Sequence, residues 1–170
     1  MPWATALDNA RLPLDLKHLP AQEALRRARE ALHRVGLAGF EGAYPRELSG
    51  GMKMRVSIAR AIADNAKLVL LDEPFAALDE LTRQELNDDL LKLWREDGLT
   101  IVFVTHSVFE SAYLSSRVVV FTPRPGHQAS EIILAQPLAR TEEHRLSLEF
   151  ASDASRISHA LRSAIREARE

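Results

Sequence analysis

Lys67-Leu68-Val69-Leu70-Leu71-Asp72-Glu73-Pro74 is the stretch on which the fold turns. Its apolar run is continuous, too short for a core helix, and halted by two carboxylates and a proline, so Lys67 to Leu71 reads as a buried parallel strand leading into a loop. Downstream, Leu86, Leu90, Leu93 and Trp94 recur at helical spacing and Gly98 supplies a stop. Thr100 to Val104 reads as a second buried strand ending just before His106. A short helix from Ser107 to Ser115, a third strand from Arg117 to Phe121, a turn at Pro123, Pro125 and Gly126, and a hairpin strand from Glu131 to Leu134 follow. Upstream, a helix runs from Ser49 to about Asp64, and another from Ala21 to Val35 turns Leu25, Ala28, Leu32 and Val35 inward before Gly36. Thr5 with Asp8 starts a first helix that Pro13 is expected to interrupt. Alternating strands and helices in the middle of the chain predict an α/β sheet.

The 170 residues, 46% hydrophobic and 27% charged with formal net charge -2, have the balance of one ordinary globular domain. With Cys 0 the chain forms no disulfide, thiolate zinc site or cysteine nucleophile. The longest apolar runs, such as Leu68 to Leu71 and Val118 to Phe121, fall far short of the ~20 residues that cross a bilayer. Met1-Pro2-Trp3-Ala4 lacks the basic and apolar regions of a secretory signal. A pI near 6.3 gives no basic field for nucleic acid. Arg26, Arg27, Arg29 and Arg34 instead read as a solvated helix face, with Glu23 facing Arg27 and Glu30 facing Arg34 at helical spacing. The tail from Ser155 to Ala168 is amphipathic, with Ile157, Leu161, Ala164, Ile165 and Ala168 on the side expected to pack on its own domain.

Asp72 and Glu73 stand at the carboxyl end of a strand, where open α/β sheets bind ligands. They are either a structural pair or the two carboxylates a nucleotide hydrolase needs, one for the water shell of Mg²⁺ and one for the attacking water. Ser49, Gly50 and Gly51 at a helix start offer a hydroxyl, free N–H groups and close backbone approach, which suits a phosphate and equally an ordinary capped helix. His106 is open to a structural and a functional reading alike.

Order and spacing bring these residues together. Leu48-Ser49-Gly50-Gly51-Met52, Leu70-Leu71-Asp72-Glu73-Pro74, Ala77-Leu78-Asp79 and Val104-Thr105-His106 succeed one another in a way that closely resembles the C-terminal half of an ATP-binding-cassette (ABC) ATPase. The resemblance implies a partial P-loop NTPase fold, with a mostly parallel sheet and a helical subdomain. It makes Ser49, Gly50 and Gly51 the signature motif that meets nucleotide in trans, Asp72 the Walker B residue holding Mg²⁺ through water, Glu73 the catalytic base, Asp79 the D-loop aspartate and His106 the switch histidine. ATP and Mg²⁺ are the implied cofactors. The implied partners are a second ATPase subunit in a head-to-tail dimer, transmembrane permease subunits and, indirectly, a periplasmic or extracellular solute-binding protein. The location implied is the cytoplasmic side of the inner membrane, as a peripheral subunit. Met1-Pro2-Trp3 with Leu7-Asp8-Asn9, the stretch from Phe75 to Arg83, that from Thr105 to Ser111, and Pro123-Arg124-Pro125-Gly126 resemble importers of nitrate, sulfonate and taurine. By the same resemblance the segment from Thr5 to Asp64 docks the permease, with Trp3 and Leu7 near the contact.

A Walker A loop needs Gly-x-x-x-x-Gly-Lys, and no glycine in this sequence is followed by lysine. The resemblance therefore places the start of the chain just after the Q-loop and leaves out the Walker A strand. In the family that strand lies between those matching Thr100 to Val104 and Arg117 to Phe121. A partial sequence, an internal start codon and a truncated gene all give this result. The expected organisation is a helical signature subdomain over residues 1–64, a Walker B and switch-histidine portion over 65–140, and C-terminal helices over 141–170. Two other readings stand beside the importer ATPase. One is a catalytically incompetent fragment that acts only as a binding partner. The other is an ABC-type ATPase of chromosome maintenance or DNA repair, for which long heptads or a basic groove are missing.

Overall fold

The computed structural model describes residues 1–135 and 140–167 and divides into two compact units, Met1–Val104 and a second beginning at Thr105. In the first unit, helix α1 (Ala6–Leu16) starts at Thr5, whose side chain accepts from the Asp8 amide at 3.1 Å. Pro13 does not interrupt it, contrary to expectation. The donor lost at Pro13 costs about 3 kcal/mol, but Ala6, Ala10 and Leu14 are fully buried along one stripe, and that burial carries the helix through. Helix α2 (Ala21–Arg34) buries Ala24, Ala28, Ala31 and Leu32, a face turned slightly from the expected one, so that Leu25 is only half-buried. Gly36, at φ +75°, closes it in the left-handed conformation that favours glycine. Glu23 pairs with Arg27 at 2.7 Å as expected. The Glu30–Arg34 pair does not form: Glu30 takes Arg26 at 3.0 Å, and Arg34 reaches Asp97 at 2.8 Å.

Helix α3 (Gly50–Ile62) is followed by strand β1 (Leu68–Asp72), helix α4 (Glu80–Asp97) and strand β2 (Thr100–Val104). Gly98 ends α4 at φ +59°. The strands pair in parallel, with Leu70 opposite Val102 and Asp72 opposite Val104. β1 lies one residue later than its apolar run suggested, because Asp72 still takes part in the ladder.

The sequence predicts two wholly buried strands, and here the structure differs. Val69 enters the main core with Leu71 and Ile101 against it, while Phe103 meets the fully buried Phe75 at 5.5 Å between ring centroids. On the opposite face Leu68, Leu70, Val102 and Val104 remain 53%, 69%, 48% and 51% exposed. The pleat divides each strand between two faces, and helices of this unit cover only one. The same core joins α1, α2 and α3 to Val69, Leu93 and Leu99, so it continues past Asp64 into the strands and α4.

In the second unit, helix α5 (Val108–Leu114) is capped by Ser107, which accepts from the Glu110 amide at 3.3 Å. Strands β3 (Arg117–Phe121) and β4 (Gln128–Ile133) form the expected hairpin, antiparallel and in a sheet of their own. A short helix α6 (Glu142–Arg145) precedes α7 (Leu148–Glu167), which packs on α5 and the hairpin. Phe150, Ile157 and Ala164 are its buried residues; Ile165, expected inside, is 36% exposed, because the helix starts earlier and sets its face by Phe150. Ala168 lies outside the described residues. Tyr113 stacks edge-on against Phe150 and carries the Arg145 guanidinium 4.0 Å over its ring. The buried Arg140 donates to the Tyr113 and Ser115 carbonyls at the end of α5, and burial lowers its pKa. No helix among the described residues is long and apolar enough to cross a membrane.

Exposed apolar patches drive association. The chain should therefore associate with rising concentration in sedimentation velocity. Leu70→Lys should shift it toward monomer while changing unfolding free energy by less than about 0.5 kcal/mol. An unchanged distribution would show that the β1–β2 face is not the adhesive surface.

Candidate functional site

The first unit builds a site from the ends of three elements. Ser49 caps α3, its hydroxyl oxygen accepting from the Met52 amide at 3.2 Å. Ser49 and Gly50 are exposed, whereas Gly51 is buried. A Cβ added at Gly51 would lie 2.6 Å from Thr82 Cγ2, and one added at Gly50 would lie 3.0 Å from Leu78 Cδ2. The glycines thus have a packing reason as well as any ligand-binding one: they let the start of α3 close against the start of α4.

Asp72 closes β1, and the next residue, Glu73, adopts φ +43°. A left-handed backbone at a residue that is neither glycine nor asparagine costs roughly 1–2 kcal/mol and persists where its surroundings fix it. The fixing contact is visible: the Glu73 amide donates to the Val104 carbonyl at 2.8 Å, one residue past the regular ladder. Both carboxylates are exposed, so neither bears the burial cost that their place beside an apolar strand suggested. From Glu73 the chain passes through hydrogen-bonded turns, Ala76 amide to Glu73 carbonyl at 3.3 Å and Leu78 amide to Phe75 carbonyl at 3.2 Å, and arrives at Asp79. The buried Phe75 ring pins this connector, and an Arg83 nitrogen donates to the Leu78 carbonyl at 2.9 Å.

Asp79 is the N-cap of α4, accepting from the Thr82 amide at 3.0 Å. That amide, and next the Thr82 side chain, hold its carboxyl below the ordinary aspartate range. The lowered value means that the cap is fully made above the unfolded aspartate pKa near ~3.9 and is lost as pH falls through the lower folded value.

His106 lies in the second unit, in the turn before α5. Thr105 fixes that turn: its hydroxyl donates to Glu110 and accepts from the Ser107 amide at 2.9 Å, and Glu110 is buried at 4% exposure. The sequence reading gave no role to Thr82 or Glu110. Glu110 carried a usable signal, since Ser107-Val108-Phe109-Glu110 has capping-box spacing. Thr82 carried none, because its contact with Gly51 is made only by packing.

The donor set fits Mg²⁺ in one of its usual modes, in which one or two carboxylates and substrate phosphates share the ion with water. Among the described residues no group of three or more His, Asp or Glu side chains is placed to form an all-protein cage. Asp72 is the exposed carboxylate available for such a role, and Ser49 and Gly50 at the start of α3 suit an anionic ligand.

The sequence profile of the ABC transporter family matches residues 1–76. An ABC transporter ATP-binding protein of Methanocaldococcus jannaschii is 48% identical over 164 residues, which is 95% of this chain and 60% of that protein. A taurine import ATP-binding protein of Rhizobium johnstonii is 45% identical over 74% of this chain and 48% of its own length. An aliphatic sulfonates import ATP-binding protein of Bacillus licheniformis is 44% identical over 82% of this chain and 54% of its own. Among solved structures, a dimeric ATP-binding cassette bound to ADP and Pi in a post-hydrolysis state matches with TM-score 0.65 and 35% identity, over 83% of this chain and 60% of that one. The chain thus spans about half to three fifths of the length of these relatives.

The backbone at Glu73 sets an unusual order of stability. Glycine relieves left-handed strain and a β-branched residue aggravates it. Urea unfolding should rank Glu73→Gly at or above wild type and place Glu73→Val about 1–2 kcal/mol below it. The reverse order, which an ordinary extended residue gives, would remove the strain from the site.

Proposed function

Because the chain belongs to the ABC transporter ATP-binding family and has part of the ABC ATPase fold, we propose that it supplies the signature, D-loop and hydrolytic-carboxylate portion of an importer ATPase. The solute is a small molecule such as nitrate, a sulfonate or taurine. The reading draws on relatives named for taurine and aliphatic sulfonate import. One observation carries it: Asp72 and the strained Glu73 stand exposed at the end of β1, tied by a short connector to Asp79.

Asp72 holds the metal's water shell, and the ion, when bound, neutralises phosphate charge. Glu73 orients and deprotonates the attacking water. Ser49 and Gly50 present a hydroxyl and backbone N–H groups to the nucleotide phosphates of a second ATPase subunit. Asp79 belongs to the same inter-subunit face, and His106, in the turn before α5, acts as the switch histidine. The subunit works at the cytoplasmic side of the membrane, docked on a permease through the helical part of the first unit. A second reading, a catalytically silent binding partner, is favoured by the sequence itself, in which no glycine is followed by lysine.

The 170-residue chain alone should neither turn over Mg-ATP nor bind it tightly, since the phosphate cradle and its lysine are not among its residues. Saturable low-micromolar binding in isothermal titration would overturn this.

Joined to the Gly-x-x-x-x-Gly-Lys segment of a sulfonate-importer relative, the chain should hydrolyse ATP. In that protein Glu73→Gln should retain nucleotide and lose about 10² to 10⁴-fold in turnover, the usual contribution of a general base. Asp72→Asn should weaken Mg-ATP binding and turnover together. Turnover by Glu73→Gln within about threefold of the parent, far less than loss of a base implies, would exclude Glu73 as that base.

A further inference from the structure

Thr82 has a place that neither the carboxylates nor the phosphate-binding residues explain. Its amide donates to Asp79 Oδ1 at 3.0 Å. Its methyl group stands over Gly51, so close that an added Cβ would come within 2.6 Å. We propose that Thr82 is a positioning residue that locks the start of α3 to the start of α4 within one chain, so that Ser49, Gly50 and Gly51 keep a fixed geometry to Asp79.

The lock follows from β-branching. The bond from its amide to Asp79 fixes the Thr82 backbone, and the few χ1 rotamers open to a β-branched side chain keep its methyl over Gly51. Serine keeps the hydroxyl without the methyl, and valine keeps a methyl in that place without the hydroxyl. Leu78, against Gly50, lies on the connector that leads directly into Asp79, so both glycines abut the same segment. The role of these two helix starts in nucleotide binding rests on the function proposed above. The lock does not, and it is tested without nucleotide.

Gly51→Ala is combined with Thr82, Thr82→Ser and Thr82→Val in the 170-residue chain, and urea unfolding is measured for each. Beside Thr82 the alanine should reduce the folded-to-unfolded ratio by about tenfold or more, an overpacking penalty. Beside serine the reduction should be under about threefold, because the opposing methyl is gone. Beside valine the full loss should return. Equal losses in all three backgrounds would overturn the proposal.

If the alanine chain does not fold, rescue of folding by Thr82→Ser supports the lock and failure of that rescue counts against it. A second measurement does not depend on Gly51→Ala. Asp79→Ala should shift the Gly50, Gly51 and Met52 amide resonances in the Thr82 chain and leave them within a linewidth in the Thr82→Ala chain. Equal shifts in both would mean that fraying of α4, and not Thr82, connects the sites. Failure of ATP hydrolysis in the joined protein would leave these results standing, so the two ideas fail separately.

Discussion

The hydrogen bond from the Glu73 amide to the Val104 carbonyl, at 2.8 Å, holds β1 and β2 together one residue beyond their ladder, and the site of the first unit is built from that point. A residue at φ +43° would relax to an extended or helical conformation if its amide were free. Tied to β2, it turns the chain sharply and leaves Asp72 and Glu73 exposed at the strand end. The connector can then deliver Asp79 to the start of α4 within a few residues, with Phe75 buried beneath as its anchor.

Small side chains decide the other half of that site. The start of α3 approaches the start of α4 because Gly50 and Gly51 have no Cβ to meet Leu78 and Thr82. Glycine here serves close packing inside the chain, and only the exposed Gly50 also faces the ligand role proposed for this helix start. A substitution at Gly51 therefore tests the packing against Thr82, whereas one at Gly50 also touches the proposed phosphate contact.

Much of this was legible in the sequence. Five-residue apolar runs, Ser49 as a cap, and Gly36 and Gly98 as stops are local signals, and the elements follow them within a residue or two. Pro13 misled because propensity is a local quantity, whereas the burial of Ala6, Ala10 and Leu14 that overrides it is collective. Glu30 and Arg34 misled for a similar reason: their spacing allows a pair, but Asp97 at the end of α4 offers Arg34 a partner from far along the chain.

The sequence by itself determined the element types, the order of the motifs and the carboxylates at a strand end, since each depends on residues near one another in the chain. Only the tertiary structure decided that β1 and β2 bury one face and expose the other, because burial depends on which elements arrive to cover a pleated surface. It alone placed Thr82 on Gly51 and put Glu73 in the left-handed region. Both depend on contacts between residues distant in the chain, Gly51 with Thr82 and Glu73 with Val104, and side-chain periodicity carries no information about such distances.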